Sequence, residues 1–94
     1  MTDLTVTDVT TSSRYEATTP EGQVAGFAEY TLGGPVITFT HTVVDPAHEG
    51  KGVASTLVRT ALDEVRGRGL RVIPRCAYVR SWIDKHPDYA DLVV

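Results

Sequence analysis

What this chain can fold into is most tightly limited by one stretch, His41-Thr42-Val43-Val44-Asp45-Pro46-Ala47-His48-Glu49-Gly50-Lys51-Gly52-Val53-Ala54-Ser55-Thr56-Leu57-Val58. The β-branched, alternating run Val36 to Val44 predicts a strand, and Asp45-Pro46 ends it. Gly50 and Gly52 follow, and from Val53 the hydrophobic period changes to that of a helix. Such a strand, loop and helix is suited to holding an anion. The first N–H groups of a helix lack intrahelical partners and lie at the positive end of its dipole, and glycines let several amides converge on one phosphate. Neither common nucleotide motif fits. Lys51 lies between the glycines rather than after them, and the third glycine of G-x-G-x-x-G is absent, with Ser55 in its place.

Around this stretch the pattern predicts an antiparallel meander followed by a strand-helix-strand-helix unit. Leu4 to Thr10 and Arg14 to Thr18 read as strands, Thr19-Pro20-Glu21-Gly22 as a turn, Gln23 to Leu32 as a strand and Gly33-Gly34-Pro35 as another turn. Val53, Ala54, Leu57, Val58, Ala61, Leu62 and Val65 form one apolar helical stripe that ends at Arg66-Gly67-Arg68-Gly69. Leu70 to Ile73 is then a short buried strand, parallel to Val36 to Val44 by its crossover connection, and a second helix runs from about Ala77 to Lys85 before Pro87. Trp82 belongs to the core, and Tyr89, Leu92 and Val93 fold back as a closing segment. Strict alternation puts Ile37, Phe39, His41 and Val43 on one face of their strand, and Val36, Thr38, Thr40, Thr42 and Val44 on the other. His41 is thereby placed as a core histidine satisfied by a neighbouring backbone group, ahead of a second reading as a catalytic base.

Ninety-four residues imply one domain over 1–94, and a 41% hydrophobic, 22% charged composition implies a soluble globular one. A start of Met1-Thr2-Asp3-Leu4 lacks the features of a signal peptide, and no apolar run suits a membrane span, so a cytoplasmic address is expected. The net charge of -3 argues against nucleic acid. It also hides an asymmetry: residues 1–47 carry one base, Arg14, against six acids, whereas residues 48–94 carry eight bases against six acids. A polyanionic ligand on the basic side and a cationic amine on the other suit this division, as do ordinary solvated faces. Cys76 is the single cysteine, and His41, His48 and His86 are far apart in sequence, so neither a disulfide framework nor a metal site is expected. Cys76 lies beside Arg75 between a strand end and a helix start. Such a setting lowers a thiol pKa, with a buried structural cysteine as the alternative.

Glu49-Gly50-Lys51-Gly52-Val53-Ala54 resembles the [QR]-x-x-G-x-[GA] pyrophosphate loop of the GNAT superfamily of acetyl-CoA-dependent N-acetyltransferases. With Leu70-Arg71-Val72-Ile73-Pro74-Arg75-Cys76 and His86-Pro87-Asp88-Tyr89, the chain looks more narrowly like the very small YjdJ-type acetyltransferase-like proteins, from Val36 onward. The resemblance implies a minimal GNAT-like α/β (α+β) fold whose parallel strands splay apart to admit the pantetheine arm of CoA. It implies that Gly50, Lys51, Gly52, Val53 and Ala54 hold the pyrophosphate through backbone amides, with Val43, Val44 and Ser55 completing the cofactor set. It also implies that the Cys76 turn lies beside the acyl thioester.

Two departures stand out. The superfamily prefers Gln or Arg where this chain has Glu49, whose carboxylate leaves the amides free if it points to solvent and repels phosphate if it points inward. Many relatives begin the closing helix with Asn and later carry a Tyr that protonates the departing thiolate; the matching positions here are Cys76 and Ile83. Tyr78, Tyr89 or the Cys76 thiol must then supply the proton. The expected activity is acetyl transfer from acetyl-CoA to a primary amine, on a protein lysine or a small molecule, with His41 the preferred base, Glu29 a weaker one, and Cys76 as acid or acetyl acceptor. The alternatives are a CoA-binding module without catalysis and a small protein-interaction domain.

Overall fold

The computed structural model describes residues 3–94. Strands β1 (Thr5–Val9), β2 (Arg14–Thr18), β3 (Val24–Gly33) and β4 (Val36–Val44) form an antiparallel meander. Helix α1 (Val53–Gly67) then crosses over to β5 (Arg71–Pro74), which pairs parallel to β4, and α2 (Ala77–Asp84) follows. One five-stranded sheet results, in the order β1-β2-β3-β4-β5. The mixed α+β architecture and its parallel pair are those expected from the sequence.

Helix α1 buries Val53, Leu57, Val58, Ala61, Leu62 and Val65. They pack against the sheet residues Tyr15, Ala17, Ala28, Tyr30, Ile37 and Phe39, and each large apolar side chain removed from water there contributes about 1.5–3 kcal/mol. Trp82 joins this core, and its indole N–H donates to the Ser55 hydroxyl at 3.0 Å, holding α2 against the first turn of α1. The chain end closes as expected. Tyr89 and Leu92 are buried, Val93 bridges to Val72 along the outer edge of β5, and the Arg71 guanidinium donates to the Leu92 and Val93 carbonyls. That segment covers an edge that would otherwise present unpaired backbone groups.

The strand expected to be regular is not. Glu29 pairs with His41, but Tyr30 pairs with Phe39, so Thr40 is an extra residue in β4. Its hydroxyl donates to the Glu29 carbonyl at 3.3 Å, which gives that group a partner at the interrupted ladder. An inserted residue reverses the alternation beyond it. Ile37 and Phe39 face the helices, yet His41 is exposed and Val43 is 45% exposed, whereas Thr42 and Val44 turn inward. The placement of His41 and Val43 on the Ile37–Phe39 face is therefore corrected, and His41 is not a core histidine.

Candidate active site

β4 and β5 pair only as far as Phe39 and Pro74. Beyond that point β4 runs on through Val44, while the segment after β5 turns into α2, tied to β4 by the Cys76 N–H donating to the Phe39 carbonyl at 2.8 Å. The two parallel strands thus part at Phe39, and the β4 edge from Thr40 to Val44 has no β5 neighbour.

At the end of that edge, the Asp45 carboxylate accepts from the Ala47 N–H at 2.9 Å and shapes a short 3-10 turn over Pro46–His48. The chain then passes Gly50 at φ 78° and Gly52 at φ 74°, both in the left-handed region that side chains other than glycine resist. A Cβ built on either glycine would meet nothing within 4 Å. The two glycines are therefore required by backbone conformation, with open space in front of them. The first bond of α1 runs from the Thr56 N–H to the Gly52 carbonyl, and no side chain caps the helix. The N–H groups of Val53, Ala54 and Ser55 are left without intrahelical acceptors. Glu49 and Lys51 are both exposed. The Ser55 hydroxyl is engaged by Trp82, so that residue offers its amide to a ligand more readily than its side chain.

Cys76 occupies the N-cap position of α2 and is 8% exposed. Its Sγ lies 3.4 Å from the Thr42 hydroxyl, a contact made by the residue that the bulge turned inward. Burial pushes the thiol pKa up, but the Thr42 hydroxyl and the nearby N–H groups of Val79, Tyr78 and Thr42 together outweigh it and bring the pKa below that of an ordinary thiol. The lowered pKa is the direction that the helix start and Arg75 pointed to, but the Thr42 hydroxyl that does most to lower it is not visible in the sequence.

On the opposite face of β4, His41 Nδ1 lies 3.4 Å from Glu29 Oε1, the two being cross-strand partners. The two residues weighed as bases are thus side by side. Adjacent positions, His41 and Thr42, present their side chains on opposite faces at the place where β4 and β5 part. Of the tyrosines considered as proton donors, Tyr89 donates to Asp63 at 2.7 Å, while Tyr78 is 39% exposed in the first turn of α2. Ile83 is buried.

Gly26 is a positioning residue that sequence reading passed over. A Cβ there would lie 2.8 Å from the Val43 carbonyl oxygen and 3.1 Å from Val53 Cγ1, so its absence lets β3 support both β4 and the start of α1. Nothing in the local sequence marks this close approach, since it depends on the Gly26–Val44 register. Among the described residues, no group of three or more His, Cys, Asp or Glu is arranged to hold a metal, and no helix is long and apolar enough to cross a membrane.

Residues 14–92 match the family model described as GCN5-related N-acetyl-transferase. Among curated proteins, the chain is 32% identical to Protein NATD1 of Bos taurus over 56 residues, which cover 60% of this chain and 50% of that protein. The chain thus spans about half the length of that relative. Among solved structures, the solution structure of a GCN5-like protein from Staphylococcus aureus superposes with a TM-score of 0.74 at 20% identity, covering 100% of this chain and 91% of the other. The GNAT family N-acetyltransferase YhbS from Escherichia coli, in complex with CoA, superposes with a TM-score of 0.55 at 29% identity over 63% of this chain and 37% of its own.

Proposed function

The chain belongs to the GCN5-related N-acetyltransferase family, and on that premise we propose that it moves an acetyl group from acetyl-CoA to a primary amine. The observation that carries this reading is the pair of left-handed glycines leading into an uncapped helix N-terminus, at the end of a strand edge that β5 has left open. Acetyl-CoA supplies the activated acyl group as a thioester. The fit rests on the open space at Gly50 and Gly52 and on the uncapped first turn, which suit a diphosphate held by the amides of Gly50, Lys51, Gly52, Val53, Ala54 and Ser55. Val43 and Val44 offer the unpaired β4 edge to an extended pantetheine arm.

The two faces of β4 divide the chemistry. On the outer face His41, oriented by Glu29, takes the proton of the attacking amine. On the helix side Cys76, with Thr42 as partner, delivers a proton to the departing thiolate or receives the acetyl group before passing it on. Ile83 has no proton to give and the Asp63 bond occupies Tyr89, which favours the thiol over those two positions and leaves exposed Tyr78 as the other donor. The acceptor is a small amine or a protein lysine. We place the activity in the cytoplasm, carried by residues 1–94 as one domain, without metal and without nucleic-acid or membrane partners.

Calorimetry with CoA and acetyl-CoA, together with thiol release across an amine panel, tests the proposal. Binding with turnover supports a transferase, and His41→Gln should then lower kcat by about 10²–10⁴-fold. Binding with no release for any amine would leave a CoA-binding module, which the isoleucine at position 83 also fits. No binding at all would remove both readings. Intact-mass measurement during turnover separates the two roles of Cys76, since an added acetyl group appears only on the covalent route.

A further inference from the structure

The helices cover one face of the sheet and leave the other bare. On that bare face, next to His41 and Glu29, lies a groove of about 290 Å³ lined by Arg14, Val24, Phe27, Val43, Asp45 and neighbouring backbone. Its size falls at the lower end of small-ligand sites, suited to a narrow molecule. Its floor is apolar: Val24 is 40% and Val43 is 45% exposed, with Phe27 between them.

The charges around the groove follow the strand register. Glu29 stands beside His41 at one end and Asp45 at the other, and the Glu16–Phe27 pairing puts Glu16 beside the middle. Asp45 is the one acid among the lining residues and Arg14 the one cation, paired with Glu16. Its Nε is 2.8 Å from Glu16, and its guanidinium lies 4.3 Å from the Phe27 ring centroid. Asp45 uses one carboxylate oxygen on the Ala47 N–H and keeps the other. Beyond the neutral Arg14–Glu16 pair, the flanking charges are acidic: Asp45 in the lining and Glu29 next to it, beside His41. His41 and Asp45 are separated by four residues of extended chain, about 13 Å.

We infer that this groove is the acceptor site and that its occupant is a linear aliphatic polyamine. The inference rests on the transferase reading above. The reacting amine lies at His41, the methylenes run over Val43 beside the Phe27 ring that Arg14 covers, and a distal ammonium meets Asp45. A second copy of the chain is disfavoured there, because a two-fold contact would bring the same acids together. In the reaction the new C–N bond forms as the thioester C–S bond breaks; the amine loses one proton and the sulfur gains one.

Steady-state acetylation of spermidine, cadaverine and butylamine by the full chain tests the inference, with CoA affinity measured in parallel by calorimetry. Catalytic efficiency should fall in that order. Val24→Lys adds a cation at an exposed position, and Phe27→Ala removes the floor. Each should raise the spermidine KM about tenfold, leaving CoA affinity unchanged. Butylamine used as well as spermidine, a lysine peptide preferred to both, or an unchanged KM in Val24→Lys would overturn the polyamine site while the transferase reading stands. CoA binding with no amine acetylated would overturn both. NMR titration of the CoA-saturated protein with spermidine gives a readout apart from turnover: shifts should centre on Gly26, Phe27 and Val43, and shifts elsewhere count against the groove.

Discussion

Replacing Gly52 by alanine separates the backbone role of the proposed phosphate loop from its ligand role. Gly52 sits at φ 74° and ψ 17°, directly before α1, and a Cβ there would meet no heavy atom within 4 Å. The folded chain therefore loses only the left-handed penalty, about 1–2 kcal/mol. At roughly 4–8 °C per kcal/mol for a domain of this size, the melting temperature of the free protein should drop by about 4–16 °C. On the proposed reading the ligand loses more, because the new methyl would occupy the space in which a diphosphate meets the first-turn amides. Losing one or two hydrogen bonds to a charged oxygen, at about 1.5–3 kcal/mol each, weakens CoA binding by at least about tenfold, and by about a hundredfold at 2.7 kcal/mol. At a CoA concentration one hundred times the wild-type Kd, the wild type gains about 2.7 kcal/mol. A variant with a hundredfold weaker Kd gains only about 0.4 kcal/mol under the same conditions. Differential scanning calorimetry with and without CoA reads both quantities at once. A variant that melts lower yet keeps the full CoA-induced rise would refute the assignment of this loop to the diphosphate.

Gly26→Ala should be the more damaging glycine change for the fold. Its Cβ would lie 2.8 Å from the Val43 carbonyl oxygen, and relieving such overpacking costs about 1–3 kcal/mol, seen as a lower urea midpoint; an unchanged midpoint would contradict the close approach of β3 and β4. For Cys76, the midpoint of the iodoacetamide rate against pH should lie below 9.0, and Thr42→Val should move it upward; a midpoint at or above 9.0 in the wild type would dismiss the thiolate-stabilising contacts. Burial, followed by the hydrogen bond to the Asp8 carboxylate, pushes Tyr30 up from 10.0 to about 12. The raised folded-state value means that this contribution is complete below pH 10 and is lost as pH climbs toward 12, so denaturation midpoints should fall across that window and fall less in Tyr30→Phe.

Much of the architecture was legible along the chain because its causes are local. Proline and glycine in the turns, the period-two strands and the helical stripe from Val53 to Val65 each depend on residues a few positions apart, and these elements form where their patterns lie. The parallel placement of β5 also followed, since a strand, a crossover helix and a second strand close in one hand. The glycine pair at 50 and 52 was readable for the same reason: a left-handed backbone strongly favours that residue type, although Ser13 adopts it as well.

Tertiary structure decided the rest, and the bulge at Thr40 accounts for most of it. Periodicity assumes that each strand residue faces one partner, whereas an extra residue is revealed only by the register against β3, a strand joined through the turn at Gly33 to Pro35. That single insertion moved His41 outward beside Glu29, turned Thr42 inward to Cys76 and exposed Val43 on a bare sheet face. The amino-acid order by itself determined which elements form and where two left-handed glycines lead into a helix. Which face of β4 His41, Thr42 and Val43 occupy was left to strand pairing, because a pairing energy depends on both strands and cannot be read from either one.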